Sequence, residues 1–348
     1  MTIEEGHPHL MKGHDAPEIP PLLRVDSVVK DYQIRSQSVE QKLRAVDDVT
    51  FSCDRAETVG IVGESGCGKT TLGRLVAGLI HPSSGTVTVH ALAEDGTPLP
   101  LVAAGGVQMV YQSPVESLDP RMRIAASVGE SLRHVRRSER RSRIRLALAD
   151  VGLTEEHARK YAHELSGGQQ QRACIARALI GSPSVVVFDE AVSSLDVLLQ
   201  QEVLSLLLEL QTRTAIAYLF ISHDLSIVAA VSTRILVMYL GRVVEIIPAR
   251  EFNRALLHPY SVALQSAQLR PRSDGTRAKP ILLSGDPPSA IGRTQGCRFA
   301  GRCPLADKGC RIEEPALREH EANHFVACYH AGELVAEVYE AGPLDGPY

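Results

Sequence analysis

The chain reads Gly63-Glu64-Ser65-Gly66-Cys67-Gly68-Lys69-Thr70 with Thr71 next, and 96 residues beyond Lys69 it reads Leu165-Ser166-Gly167-Gly168-Gln169. The first segment follows an apolar run, Thr58 to Val62, and precedes a stretch with Leu72, Leu75, Val76, Leu79 and Ile80 on one helical face. A glycine-rich turn between a strand and a helix lets successive backbone N–H groups point inward at an anion, and Lys69 adds a point charge for the β and γ phosphates. The second segment is a Ser-Gly-Gly turn that opens a predicted helix over Gln169 to Leu179, so it also presents N–H groups and a positive dipole end. Two phosphate-gripping helix N-termini so far apart do not serve one bound nucleotide within one subunit. They predict half of a nucleotide sandwich, each loop facing its opposite number on a partner.

Other chemistry gathers around that pair. Ser184 to Phe188 is an apolar strand ending in Asp189-Glu190, which fits a buried strand of a parallel sheet bringing two carboxylates to the edge where such sheets bind ligands. Asp189 is placed to hold Mg²⁺, mostly through water, with Thr70 as a second oxygen ligand. Glu190 is placed to orient or deprotonate an attacking water. The strand Ile216 to Ile221 ends in Ser222-His223-Asp224, from which an imidazole reaches a γ-phosphate. Gln112, after the strand Val107 to Tyr111, is a neutral side chain able to touch both metal and water. Each element has an ordinary reading on its own: a turn, a helix cap, a structural histidine. Their occurrence together in one order leaves those readings little room.

From this set of residues the chain resembles the ATP-binding cassette ATPases. Gly63 to Thr70 is similar to the Walker A loop, Gln112 to the Q-loop, and Leu165 to Gln169 to the signature. Asp189 with Glu190 resembles Walker B and the catalytic glutamate, Ser193-Ser194-Leu195-Asp196 the D-loop, and His223 the switch histidine. Tyr32, at the end of the first predicted strand, resembles the aromatic residue that stacks on adenine. Ala191 and Ser194 depart from the usual proline and alanine without removing a functional group. The resemblance implies an α/β fold: a P-loop ABC-type nucleotide-binding domain with an inserted helical subdomain and a small Cys-rich C-terminal extension. It implies ATP and Mg²⁺ as ligands and Glu190, His223 and Gln112 as catalytic residues. Cys67 sits inside the phosphate loop, where oxidation or alkylation would block ATP.

Composition agrees with that class. The 348 residues suffice for two or three compact units, and a net charge of −4 gives no nucleic-acid footprint. The basic cluster Arg136 to Arg145 reads as a solvated helix face. No apolar run approaches the ~20 residues that cross a bilayer, and the N-terminus lacks a positive-then-apolar secretory pattern, so the expectation is a chain that stays inside the cell. Residues 1–20 read as a polar tail, with three histidines lacking other ligand types nearby. Residues 21–118 and 173–248 read as an ATP-binding core, 119–172 as a helical region carrying the signature, and 249–348 as a separate appendage.

That appendage holds four of the seven cysteines, Cys297, Cys303, Cys310 and Cys328, spaced C-x5-C-x6-C-x17-C. In a cytosolic chain such clustering points to metal rather than disulfides. The lack of a C-x-x-C knuckle weighs against structural zinc, and Cys303-Pro304 matches the Cys-Pro ending of some iron–sulphur runs. The segments His258-Pro259-Tyr260, Gly285-Asp286-Pro287-Pro288-Ser289, Gly296-Cys297-Arg298-Phe299 and Arg302-Cys303-Pro304 are similar to the C-terminal region of oligopeptide/dipeptide importer ATPases. In that family four cysteines hold a [4Fe–4S] cluster, so the resemblance implies one here, pinning a poorly cored segment. Zinc is the alternative, with His324 and His330 as substitute ligands. Ser117-Leu118-Asp119-Pro120-Arg121 is closer to the second ATPase of such importers than to the first.

The resemblance implies an ATP-hydrolysing subunit for di- or oligopeptide import, peripheral on the cytoplasmic face of the inner membrane. The implied partners are a second ATPase subunit in a heterodimer, two transmembrane permease subunits and, indirectly, an extracytoplasmic binding protein. Nickel, glutathione and oligosaccharide systems share much of this pattern and stay open as cargo. A soluble repair or chromosome cassette would insert a long coiled coil between phosphate loop and signature, and a translation factor would carry two sets of motifs. Neither feature is present in this sequence.

Overall fold

The computed structural model describes residues 20–36, 39–92, 98–99, 106–267, 281 and 295–333. The polar tail, apart from Pro20, and the Gly285 to Ser289 segment lie outside these residues. Strands β1 (Leu23–Ser36), β2 (Val39–Cys53), β3 (Thr58–Val62) and β4 (Ser84–Val89) come first, with α1 (Lys69–Val76) between β3 and β4. The two-residue strands β5 (Ala91–Leu92) and β6 (Pro98–Leu99) pair with each other, and β7 (Val107–Val110) follows. Helices α2 (Pro114–Ser117), α3 (Ile124–Val128), α4 (Arg137–Asp150), α5 (Glu155–Arg159) and α6 (Gly167–Leu179) fill the span to β8 (Val185–Asp189). Then come α7 (Val197–Thr214), β9 (Ala217–Ile221), α8 (Leu225–Val231), β10 (Arg234–Tyr239) and β11 (Arg242–Pro248). Helices α9 (Pro259–Ser266) and α10 (Lys308–Ile312) and strands β12 (Arg318–Glu321) and β13 (His324–Val326) complete the described chain.

An eight-stranded sheet runs in the order β12-β13-β11-β10-β3-β9-β8-β7. Its middle, β10, β3, β9, β8 and β7, is parallel. Continuous apolar runs form these strands because both faces are covered, and every residue of β3, β8 and β9 is buried. Alternation splits them between two cores. Val62, Val186, Phe188, Tyr218 and Phe220 join the core that includes Ala173, Ile175, Val203 and Leu207 from α6 and α7. Val59, Ile61, Val187, Leu219 and Ile221 join the core with Leu72 and Leu75 of α1 and with Leu23, Val25 and Val46 of the antiparallel sheet β2-β1-β4. Helix α7 is started by Asp196, whose carboxylate accepts from Leu199 N–H at 3.0 Å. It buries Val203, Leu207 and Leu210 on one face.

Several boundaries differ from the sequence reading. Helix α1 stops at Val76 with Gly78 at φ +69°, so Leu79 falls past its end and is 53% exposed instead of joining the core face. Tyr32 lies inside the long strand β1 rather than at its end, paired with Leu43. The basic cluster lies on α4 and its flank, where Arg136, Arg137, Arg141 and Arg145 are exposed, as a solvated face requires.

The larger correction concerns the C-terminal region, which is not a separate appendage. Strand β13 pairs antiparallel with β11, Glu245 opposite Val326 and Ile246 opposite Phe325, so residues beyond 249 complete the core sheet. Nor are the described residues of this segment poorly cored. Phe299 is fully buried, edge-on to Tyr239 with ring centroids 5.3 Å apart and 5.5 Å from Tyr260. Glu245, buried in β11, accepts from Leu257 N–H at 2.7 Å and His258 N–H at 3.2 Å and meets His324 Nε2 at 2.7 Å. Buried polar groups so satisfied fix which strand lies beside which. Phe299→Ala should therefore cost about 3–5 kcal/mol of stability. Urea denaturation of the full chain should show the main cooperative transition moved, not merely the loss of a C-terminal phase.

Candidate functional site

The phosphate loop is shaped by glycines that no other residue replaces. Gly68 has φ +106°, and a Cβ there would stand 2.1 Å from the Ala45 carbonyl of β2. Gly63 has φ +152°, and its Cβ would meet the Met238 carbonyl at 2.2 Å. Lys69 begins α1 and is 6% exposed, its ammonium held over the loop by the carbonyls of Gly63 at 2.8 Å and Glu64 at 2.9 Å. Ser65, Gly66 and Thr71 complete the turn and the first helical residues, Gly66 at φ +79°. The loop thus packs against both β2 and β10.

Two contacts bring the carboxylates to this loop. Thr70 Oγ1 donates to Asp189 Oδ1 at 3.1 Å, joining the first turn of α1 to the end of β8. Burial, followed by the charge of Glu190, raises the Asp189 carboxyl above its usual range, against the hydrogen bond from Thr70 and the charges of Arg74 and Lys69. Asp189 is itself buried, at the end of a strand with no exposed residue. Glu190 Oε2 lies 3.3 Å from His223 Nδ1. Its backbone takes φ +50°, in the left-handed region, with its N–H donating to the Ile221 carbonyl at 2.9 Å. Strain of this kind costs roughly 1–3 kcal/mol and is found at functional sites. Gln112 is exposed, two residues past Val110 at the end of β7, and Val110 pairs with Phe188, the residue before Asp189.

The signature stands by itself. Ser166 caps α6, its Oγ accepting from Gln169 N–H at 3.3 Å while Gln169 Oε1 accepts from Ser166 N–H at 3.1 Å, a capping box. Gln169 Nε2 contacts His157 Nε2 at 3.2 Å. Ser166 and Gly167 are exposed, and a Cβ on Gly167 would meet nothing within 4 Å. The N-terminus of α6 therefore opens to solvent at Ser166 and Gly167. Tyr32 is half-buried with the Lys30 ammonium 5.3 Å from its ring centre.

Cys297, Cys303, Cys310 and Cys328 line one pocket together with His258, Phe299 and His330. Burial pushes the Cys297 thiol up to about 11 and Cys328 to about 12, and the neighbouring cysteines push in the same direction. His258 is buried, with Nδ1 accepting from Tyr260 N–H at 3.0 Å. Burial draws its pKa down to about 4 despite Glu245, so Nε2 carries the proton of a neutral ring, and that atom has no partner among the described residues. His324, expected as a substitute metal ligand, is instead committed through Nε2 to Glu245 and does not line the pocket. His330 does line it. One ligand atom each of His330, Asp307 and Cys310 lie within 4.8 Å of one another.

Residues that the sequence reading passed over also reach the loop. Arg302 NH1 donates to Glu64 Oε2 at 2.9 Å and NH2 to Glu64 Oε1 at 3.1 Å, while Glu64 N–H donates to Tyr260 Oη at 2.7 Å. Both lie in segments noted for family likeness, but their contact with position 64 spans more than half the chain. Asp47 is gripped by Arg298, Arg44 and Arg242. Burial would raise its carboxyl, and the three guanidiniums hold it below the usual range.

Cys67 lies inside the loop, where its modification would matter, but its thiol is shielded. It is 4% exposed, and burial pushes its pKa up against the pull of Lys69, so the thiolate needed for alkylation is scarce. Iodoacetamide at neutral pH should label Cys67 in the native chain at least about tenfold more slowly than in the denatured chain, as read by peptide mass spectrometry.

Comparison with known proteins places the chain in a family. Residues 46–193 match the ABC transporter family, and residues 244–310 match the oligopeptide/dipeptide transporter C-terminal region. A peptide ABC transporter ATP-binding protein of Sinorhizobium fredii is 43% identical over 317 residues, 88% of this chain and 89% of that one. A peptide import ATP-binding protein of Brucella ovis is 42% identical over 318 residues, covering 88% and 97%. Among solved structures, a dimeric cassette in a post-hydrolysis state with ADP and Pi superposes with a TM-score of 0.54 at 25% identity, over 66% of this chain and 99% of that one. CbiO1 of Clostridium perfringens, part of an ABC transporter complex, gives 0.55 at 27% identity over 66% and 90%. With its phosphate loop, Asp189-Glu190 edge and C-terminal region in one fold, the chain belongs to the ABC transporter ATPases of the oligopeptide/dipeptide type.

Proposed function

We propose that this chain hydrolyses ATP to drive peptide import, acting from the cytoplasmic face of a membrane on two permease subunits and alongside a second cassette. One observation carries the catalytic part: β8 and β9 end side by side, putting Asp189 on Thr70 and Glu190 beside His223. The cargo rests on the peptide relatives and the C-terminal match. Among the described residues no helix is long and apolar enough to cross a membrane, which fits a peripheral subunit. Residues 21–118 and 173–248 make the ATP-binding core and 119–172 the helical unit with the signature. Residues 249–348 make the extension, whose strands join the core sheet.

In this reading the N–H groups of residues 65–71 wrap the phosphates, Lys69 leaves its carbonyl partners for them, and Tyr32 stacks on adenine. Thr70 and Asp189, with Gln112, would hold Mg²⁺, which would supply positive charge against the phosphates. Glu190 orients the attacking water and takes its proton, and His223, tied to Glu190, reaches the γ-phosphate. Ser166, Gly167, Gly168 and Gln169 act on the nucleotide of the partner cassette. The support for a facing partner is the open N-terminus of α6 and the exposure of Val197 (67%) and Leu198 (73%) beside the Ser193 to Asp196 turn. Glu190→Gln should keep ATP binding and lower turnover ~10²–10⁴-fold. Steady-state hydrolysis and labelled-dipeptide uptake by the assembled complex check this, and near wild-type rates would remove Glu190 from the role.

The four cysteines fit an iron–sulphur cluster as a donor set: four thiols line one pocket, and the unpartnered Nε2–H of His258 is available to an inorganic sulphide. Cys297, Cys303, Cys310 and Cys328 would hold a [4Fe–4S] group, whose contribution there is a structural cross-link of the extension. Zinc on Cys310, His330 and Asp307 is the competing reading, favoured by the proximity of those three. Anaerobically purified chain should be brown with about four irons, and Cys303→Ser should lower iron content and C-terminal protease resistance together. Colourless protein with one zinc would replace the cluster by the second reading.

A further inference from the structure

Glu64 puts a carboxylate inside a loop whose task is to receive a polyanion. Uncompensated, that charge would oppose the phosphates. The compensation comes from far along the chain. Arg302 faces Glu64 with two parallel N–H···O bonds, 2.9 and 3.1 Å, and its side chain is only 9% exposed. Bidentate pairing of this kind fixes direction as well as charge. Arg302 NH1 also reaches Tyr239 Oη at 3.4 Å. The guanidinium is aimed by a tight turn: Ala300 N–H donates to the Cys297 carbonyl at 3.0 Å, and Arg302 N–H and Cys303 N–H to the Phe299 carbonyl at 2.9 and 3.0 Å. Phe299 anchors that turn among Tyr239, Tyr260 and His258. The backbone of Glu64 is held from the same side, its N–H spent on Tyr260 Oη at 2.7 Å.

We propose that Arg302 is a positioning residue for ATP binding: it neutralises Glu64 and turns its carboxylate away from the phosphates, so that the C-terminal region sets the affinity of the phosphate loop. This rests on the reading of Gly63 to Thr71 as the ATP site. Tyr260 supplies the backbone half of the same clamp. The cassette core alone, without residues beyond 249, would therefore present a loop with an unpaired acidic side chain.

The test is ATP affinity of the full-length chain with Mg-ATP, by equilibrium dialysis, with Lys69→Ala as the control that locates binding at this loop. Arg302→Met should weaken binding roughly tenfold, the loss expected when a charge-assisted bidentate bond is removed and its partner left unpaired. Arg302→Met/Glu64→Gln should return affinity to within about twofold of wild type, because the charge in need of compensation is gone. A purely structural role for Arg302 predicts no such rescue. Should Arg302→Met not fold, Glu64→Gln alone decides: binding equal to or tighter than wild type supports neutralisation, and a tenfold loss overturns it. Affinity of Arg302→Met within twofold of wild type, or a double variant as weak as Arg302→Met, also overturns the proposal. Retained ATP binding by Lys69→Ala would instead overturn the assignment of the loop.

Discussion

Parallel pairing of β3, β9 and β8 is the constraint on which the rest of the molecule depends. It places the ends of three buried strands along one edge, so that the loop after β3, the carboxylates after β8 and the histidine after β9 meet in one place. The energy behind this register is apolar burial on both faces, since every side chain of the three strands is removed from water. A slip of one residue would exchange the two cores and carry Asp189 away from Thr70. The 3.1 Å contact between those two side chains is thus a consequence of Val and Phe packing many ångströms from the polar edge.

The C-terminal region belongs to the same structural economy. Its strand β13 extends the sheet through β11, its Phe299 fills an aromatic cluster with Tyr239 and Tyr260, and its Arg298 joins Arg44 and Arg242 on the buried Asp47. Asp47 lies two residues from Ala45, whose carbonyl covers Gly68. The phosphate loop is consequently boxed in by β2 on one side and by Tyr260 and Arg302 on another. A loop of glycines, each with much backbone freedom to lose, needs such walls to hold one shape.

Local chemistry made the elements of the candidate site legible in sequence. Glycine spacing, an apolar run before Asp189-Glu190 and a serine-capped helix at Ser166 are signals carried within a few residues of themselves, and the structure places them in the expected local settings. The errors came where the signal was weak or long-range. Strands Arg318–Glu321 and His324–Val326 are short, and the first is wholly exposed, so neither displays an apolar alternation. Leu79 continued the helical face on paper, but Gly78 had already ended the helix. His324 looked like a free ligand because Glu245, 79 residues away, leaves no local trace.

By itself the sequence determined which groups can grip phosphate and that buried parallel strands must carry them, because each depends on residue type at fixed local spacing. Tertiary structure decided which of those groups meet: Thr70 with Asp189, Glu190 with His223, the four cysteines in one pocket, and Arg302 with Glu64. Contacts between residues 119 or 238 positions apart arise only when the sheet closes its strand order and the helices cover it. No periodicity within a window of a dozen residues encodes that order, because it follows from how the whole chain buries its apolar faces.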